Sequence, residues 1–207
     1  ALPRDPAAAL KWLTYAAELG NQFAQYRLGK LLLKGDDGIP KDVITAIRWL
    51  TAAAKQENGY AEYALALVYL TGEDAPKDSV KALSLLKRSA GRGNQFAQYR
   101  LGKLLLQGED APKDVKAAIR WLTAAAEQGN QYAQYALGKL YLLGKEVPKD
   151  RSSAIKWFQL AADQGNEYAQ YFLKHMDDRL GQPPVAAVIS LFHHLANIFQ
   201  EQNQPPP

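Results

Sequence analysis

The stretch GNQFAQYRLGKLLL at residues 20–33 recurs without change at residues 93–106. Its centre, Ala-Gln-Tyr or Ala-Glu-Tyr, begins at residues 24, 61, 97, 133 and 169. Between these copies lies the tripeptide Pro-Lys-Asp, which begins at residues 40, 76, 112 and 148 and so recurs every 36 residues. A fixed period of this length is typical of proteins that stack one helical unit on the next.

Each period contains two helical segments. In the first, Ala24, Leu28 and Leu32 are four residues apart and form one apolar helical face. The second begins at an expected N-cap, as at Asp42, and continues through AIRWLTAAA at residues 46–54. The turns are predicted at Asn58-Gly59, Gly93-Asn94, Gly129-Asn130 and Gly165-Asn166, with glycine ending one helix and asparagine capping the next. The pattern predicts an all-α fold, an α-solenoid of antiparallel helix pairs with a 36-residue repeat.

The composition agrees with a helical protein. The 207 residues include 33 Ala and 29 Leu but only 7 Val and 7 Ile, and β-branched side chains are the ones that favour strands. A β-sandwich or a parallel-sheet fold is therefore not expected. Cysteine is absent, which excludes disulfides, cysteine-based metal sites and a cysteine nucleophile. The net charge of +4 permits acidic partners but is too small to indicate a nucleic-acid interface.

These repeats resemble the Sel-one-like repeat family, a relative of the tetratricopeptide repeats. The matching motifs are Ala-Gln-Tyr-x-Leu-Gly at residues 24–29, Trp-x-x-x-Ala-Ala at residues 49–54 and Gly-x-x-x-Pro-Lys-Asp at residues 108–114. The resemblance covers about residues 3–180. It implies a helical solenoid in which the Ala-Gln-Tyr helix lines a concave groove, as the equivalent helix does in tetratricopeptide arrays, where it faces bound peptide.

The chain is expected to contain three regions: about five tandem repeats at residues 1–181, a C-terminal capping or docking helix at residues 182–200, and a disordered tail at residues 201–207. An apolar stripe between Val188 and Phe199 predicts the C-terminal helix, and an open-ended array requires a cap. The alternative use of this helix is docking on a partner, including self-association with another copy. Ala66 and Lys174 replace a glycine that the other units share, which predicts an atypical last unit.

Two aromatic residues, three positions apart, recur on every Ala-Gln-Tyr helix. Some units carry a cation beside them, and cations next to aromatic rings suit an extended acidic peptide or a terminal carboxylate. The alternatives are packing between repeats for the rings, and a purely covering role for the cation stems. The candidate partner-binding residues are Phe23, Tyr26, Arg27, Lys30, Tyr60, Tyr63, Phe96, Tyr99, Arg100, Lys103, Tyr132, Tyr135, Lys139, Tyr168 and Tyr171.

The remaining distinctive residues do not predict chemistry. The tryptophans share one helical phase beside alanine pairs, which predicts packing between layers for Trp12, Trp49, Trp121 and Trp157. Only three histidines occur, and the zinc-protease, nucleophile-elbow and phosphate-loop motifs are missing. We therefore expect no catalytic residue, no metal site, no cofactor and no enzyme activity.

The leading hypothesis is a non-enzymatic bacterial scaffold or adaptor of the cytoplasm that binds a protein or peptide. No membrane insertion and no direct contact with nucleic acid are expected, since no apolar run reaches about 18 residues. Two alternatives remain. The array and its C-terminal segment weakly resemble repeat regions attached to mobilisation relaxases of Gram-positive bacteria, which would make the chain an accessory region. The similarity of the copies also fits an engineered or purely structural repeat protein without a native ligand.

Overall fold

The computed structural model of the chain describes residues 6–35 and 38–175. These residues form ten helices: α1 (Pro6–Glu18), α2 (Gln22–Lys34), α3 (Val43–Lys55), α4 (Gly59–Thr71), α5 (Ser79–Gly91), α6 (Gln95–Gln107), α7 (Val115–Glu127), α8 (Gln131–Leu143), α9 (Arg151–Asp163) and α10 (Glu167–His175). The all-α repeat fold is thereby confirmed. The predicted C-terminal helix at residues 182–200 and the tail at residues 201–207 lie outside the described residues.

The helices begin where the sequence predicts caps. The Asp42 carboxylate accepts the Thr45 N–H at 3.0 Å, and equivalent aspartates cap α5, α7 and α9. Asparagine side chains cap α2, α4, α6 and α8 in the same way. Each cap supplies an acceptor to a first-turn N–H that has no partner within the helix.

One predicted turn is wrong in detail. Gly59 does not end a helix, because it is the first residue of α4. The left-handed position after α3 belongs instead to Glu57, with a φ of 66°. Glycine takes this position in the other units, since it lacks the Cβ that makes a positive φ unfavourable. Those residues are Gly20, Gly93, Gly129 and Gly165.

We call the helices with Ala-Gln-Tyr or Ala-Glu-Tyr A helices (α2, α4, α6, α8 and α10) and the others B helices. Each A helix from α2 to α8 packs most extensively on the B helix that follows it, and we call this pair a unit. At the closest approach, a Cβ added to Gly29 would lie 2.6 Å from Leu50 Cγ. Gly102 approaches Leu122 equally closely. Close helix packing therefore explains a mid-helix glycine that helix propensity alone disfavours.

A buried glutamine connects each A helix with the C-terminal ends of both neighbouring B helices. Gln25 Nε2 donates to Ala17 O at 3.0 Å, and Gln25 Oε1 accepts from Gln56 Nε2 at 2.8 Å. We call this arrangement a glutamine junction. It recurs at Gln98 with Gln128 and at Gln134 with Gln164.

The second unit has a charged junction in its place. Glu62, at the glutamine position, is fully buried and lies 2.5 Å from Arg88 Nη2 and 3.2 Å from Arg92 Nε. A carboxylate has no proton to donate to the B-helix carbonyl, and Arg88 Nη2 donates to Ala54 O instead, at 3.3 Å. Arg92 also pairs with Glu57 at 3.0 Å, and this ion pair lowers the pKa of Glu57.

The tryptophans follow the predicted packing except at the first B helix. Trp49, Trp121 and Trp157 are half-buried against the apolar clusters of neighbouring units. The packing prediction is wrong for Trp12, whose side chain is 69% exposed. Trp12 belongs to α1, and within the described part of the chain every A helix is already packed elsewhere.

Candidate partner-binding site

The candidate aromatic residues form one ladder along the A helices. We call these ten rings, from Phe23 to Tyr171, the aromatic face. The second ring of each pair contacts the first ring of the next unit, with centroids 5.8 Å apart in Tyr26–Tyr60, 6.2 Å in Tyr63–Phe96, 6.0 Å in Tyr99–Tyr132 and 6.0 Å in Tyr135–Tyr168. These distances are favourable for ring pairs, so the ladder contributes to packing between units.

Packing does not cover the rings completely. In the first three units the first ring of each pair is exposed, to 62% in Phe23 and 51% in Tyr60. Burial raises the pKa of Tyr99 and of Tyr135 to about 12, so both hydroxyls are neutral at physiological pH. The aromatic face therefore combines exposed ring surface with hydroxyl groups that are neutral.

A group of cations lies beside the rings of the third and fourth units. Burial lowers the pKa of Lys103, the nearby charges of Arg100 and Lys139 lower it further, and Glu109 partly offsets them. Burial also lowers the pKa of Lys139, to which Lys145 adds repulsion. An anion bound here would offset both the desolvation and the mutual repulsion of these cations. We call Arg100, Lys103 and Lys139 the cationic cluster.

Three buried polar atoms on the aromatic face lack a hydrogen-bond partner among the described residues. They are Arg100 Nε and the hydroxyl oxygens of Tyr135 and Tyr168. A buried polar group without a partner is unfavourable, because it has lost water without gaining a substitute. A ligand that supplies acceptors and donors at these three atoms would remove this cost.

The other units differ at the positions of the cationic cluster. The first unit has Arg27, which is exposed, and Lys30, which is half-buried. The second unit has Ala64 and Leu67, both half-buried. The predicted cations therefore do not form one continuous ladder: two cationic groups are separated by an apolar second unit.

Sequence analysis missed two contributors. Lys145 lies in the connector after α8 and acts on Lys139 from outside the A helix. The glutamine of Ala-Gln-Tyr was recognised as a repeat marker but not as a buried junction. A usable signal was present, because Gln56, Gln128 and Gln164 also recur and Arg92 replaces them opposite Glu62 alone.

No group of three His, Cys, Asp or Glu side chains that could hold a metal ion occurs within residues 6–35 and 38–175. Among the helices that the structure describes, none is long and apolar enough to cross a membrane.

Comparison with known proteins identifies solved structures with the same fold. A Sel1 repeat protein from Oxalobacter formigenes is 36% identical over 84% of this chain and 50% of its own, with a TM-score of 0.77. A protective antigen of uropathogenic Escherichia coli strains, which displays an SLR fold, is 35% identical over 81% of this chain and 36% of its own, with a TM-score of 0.76. An immunity protein from Pseudomonas aeruginosa, 23% identical over 84% of this chain and 64% of its own, shares the fold with a TM-score of 0.57.

The chain thus spans between about a third and a half of the length of the first two proteins. No match was found among curated proteins. The Sel1 repeat model matches five consecutive segments, at residues 1–21, 22–58, 59–94, 95–130 and 131–166. Because these segments cover most of the 207 residues, the chain belongs to the Sel1 repeat family.

Proposed function

We propose that this chain is a non-enzymatic scaffold that binds an extended acidic peptide segment of a partner protein along its aromatic face. Sel1 repeat solenoids commonly serve as scaffolds for protein interactions. The observation that carries the proposal is the cationic cluster, in which Lys103 and Lys139 are partly desolvated beside aromatic rings. Arg100 adds a buried Nε with no partner among the described residues.

The chemistry of the face favours a carboxylate at the third and fourth units. A side-chain or C-terminal carboxylate would form charge-assisted hydrogen bonds with the cationic cluster, which are stronger than neutral ones. The neutral hydroxyl of Tyr135 would donate to a peptide carbonyl or accept from a peptide N–H. The rings provide flat surfaces against which an extended chain packs.

The second unit adds a preference for an apolar residue. Ala64 and Leu67 stand where the third unit has Arg100 and Lys103, so a charged ligand residue would be desolvated there without a partner. Arg27 and Lys30 in the first unit offer a second place for an acidic residue. The preferred ligand therefore has an apolar residue between two acidic positions.

Charge reversal in the cationic cluster tests this proposal. The probe is a fluorescein-labelled peptide of six Glu-Pro repeats, which is acidic and extended, compared with six Gln-Pro repeats. We expect Lys103→Glu with Lys139→Glu to weaken binding of the acidic peptide about tenfold or more in fluorescence anisotropy, because attraction becomes repulsion. The neutral peptide is expected to bind weakly to both proteins.

The matched control is Lys116→Glu with Arg120→Glu, which reverses two exposed cations on α7. It makes the same change in net charge away from the aromatic face and is expected to leave affinity within about twofold, since exposed charges at a distance are screened by salt. Equal effects of the two double variants would contradict the proposal. Tighter binding of an oligothymidylate with the same number of charges would contradict it as well.

A further inference from the structure

One side of α1 is uncovered, although the same side of every other B helix is buried. Ala9 is exposed and Leu13 is only half-buried. Their counterparts are all 0% exposed: Ala46, Ala82, Ala118 and Ala154 for Ala9, and Leu50, Leu86, Leu122 and Phe158 for Leu13. In those units an A helix covers the side chains. We call Ala9, Trp12, Leu13 and Ala16 the end face of α1.

Two exposed side chains next to the end face define what an incoming helix would meet. Phe23 occupies the ring position that, in the next unit, receives Tyr26 of the preceding A helix. Leu19, 71% exposed, occupies the position where the later B helices end on a glutamine or arginine of the junction. The end face therefore differs from the internal packing surfaces, because its junction position is apolar.

The internal units specify the helix that would fit. Opposite Leu13 it needs a glycine or alanine, since a Cβ at Gly29 already approaches Leu50 Cγ within 2.6 Å and the second unit accepts Ala66. Opposite Leu19 it needs an apolar residue, because a buried amide there would lose its partner. Over Phe23 it needs an aromatic ring.

Residues 185–200 carry this combination. Leu195-Ala196-x-Ile198-Phe199 has the spacing of Leu28-Gly29-x-Leu31-Leu32 in α2. In this register Ala196 takes the glycine position, Phe192 the junction glutamine position and His193 the position of Tyr26. The departure from the repeat pattern at Phe192 thus matches the departure at Leu19, as expected for two residues that meet.

The last described helix does not offer an equivalent seat. α10 is an A helix, and its glycine position is occupied by Lys174, which is exposed together with Gln170. A B-type helix could not approach α10 as closely as α3 approaches α2, because the lysine side chain stands at the point of closest contact. The sequence of α10 therefore disfavours residues 185–200 as a conventional next layer on the same array.

The end face of the same copy is out of reach. The connecting residues 176–184 extend over at most about 30 Å, at roughly 3.5 Å per residue. From α2 to α10 the array contains four steps between A helices, and helix axes about 10 Å apart make this roughly 40 Å. We propose that residues 185–200 of one copy pack as an A-type helix on the end face of a second copy, giving head-to-tail self-association.

Sedimentation velocity of the full chain tests this proposal. The wild-type chain is expected to associate as its concentration rises. Ala9→Glu on the end face and Ala196→Lys in the C-terminal segment should each raise the dissociation constant about tenfold or more, because each places a charge in an apolar contact. Asn197→Lys is the matched control, since the corresponding position in α2 is already Lys30, and it should associate like the wild type.

Mixing the two variants distinguishes head-to-tail association from other arrangements. The Ala9→Glu chain retains an intact C-terminal segment, and the Ala196→Lys chain retains an intact end face. An equimolar mixture is therefore expected to form one-to-one dimers that neither variant forms alone. A wild-type chain that stays monomeric up to about 100 μM would overturn the proposal. So would a mixture that stays monomeric, or a loss of melting temperature in Ala196→Lys without any change in mass, which would indicate a cap within one copy.

Discussion

The glutamine junctions and the charged junction place different chemistry at the same point of the repeat. Gln98 donates to one B helix and accepts from Gln128 of the next, so a single side chain serves both neighbours. Glu62 has no proton to donate, and two arginines are required: Arg88 reaches the carbonyl and both arginines neutralise the carboxylate. The backbone arrangement is the same in both cases, but only the charged junction depends on three residues at once.

The difference shows how a repeat protein can distinguish its own units. A glutamine junction would accept the glutamine of any other unit, since the partners are chemically equal. A glutamate in the same place requires the arginines that only α5 and its C-terminal end supply. A buried ion pair is weak evidence for stability, because desolvation offsets much of the attraction, but removal of one partner is costly. We therefore expect the charged junction to contribute more to the order of units than to net stability.

Removing both arginines from the charged junction has the largest expected effect. Arg88→Ala with Arg92→Ala leaves the Glu62 carboxylate buried without a cation, which should lower the free energy of unfolding by about 3 kcal/mol or more. Urea unfolding followed by circular dichroism measures this change. Lys116→Ala with Arg120→Ala removes two exposed cations from α7 and should cost less than about 0.5 kcal/mol. A loss no larger than this control's would mean that Glu62 does not need its partners.

A glutamate in a glutamine junction should have the next largest effect. Gln98→Glu buries a carboxylate opposite Gln128 and removes the donor to Ala90 O, with an expected loss of about 2 kcal/mol. Adding Ala124→Arg and Gln128→Arg transplants the arginines of the second unit and should restore at least half of that loss. No recovery in the triple variant would show that the charged junction depends on its surroundings and not on the three residues alone.

Shortening the outer glutamine of a junction should have a smaller effect. Gln128→Ala removes the donor to Gln98 Oε1 but leaves the bond from Gln98 to Ala90, so about 1 kcal/mol of unfolding free energy should be lost. Gln107→Ala, at an exposed position of α6, is the control and should be nearly neutral. Equal urea midpoints for the two variants would argue that the Gln98–Gln128 bond adds nothing to stability.

Converting the charged junction into a glutamine junction should change stability least. Glu62→Gln with Arg92→Gln restores the neutral pair of the other units, and replacement of a whole buried ion pair is often close to neutral, here within about 1 kcal/mol. The wild type should also lose more stability than this variant when salt is added, because salt screens the half-exposed arginines. A loss as large as that of the double arginine variant would contradict the equivalence of the two junctions.

Most of the fold was predictable because each unit repeats the same local instructions. The aspartate and asparagine caps act within three residues along the chain, so Asp42 and its counterparts mark helix starts without reference to tertiary structure. The glycine opposite Leu50 was also interpretable, because a costly mid-helix glycine that recurs requires a packing reason. Glu57 was missed because its positive φ contradicts the local preference and occurs beside an arginine from another helix.

The candidate site was predictable only in part. Its aromatic residues were found because they recur, but recurrence does not distinguish ring packing between units from exposed ring surface. The cationic cluster required the structure, because the mutual effects of Lys103, Lys139 and Lys145 depend on distances across two helices and a connector. The apolar second unit was visible in the sequence, yet its position between two cationic groups matters only once the units are stacked.

The sequence by itself determined the class of fold, the period, the helix boundaries and the family, since these depend on residues close together in the chain. Tertiary structure decided which copies of a repeated residue are buried. Trp12 and Trp49 occupy the same place in the same motif, yet one is exposed and the other packed, because burial depends on the neighbouring unit and not on the residue. The same reason explains why Leu13 is accessible while Leu50 is not, and why function must be sought where the copies differ in their surroundings.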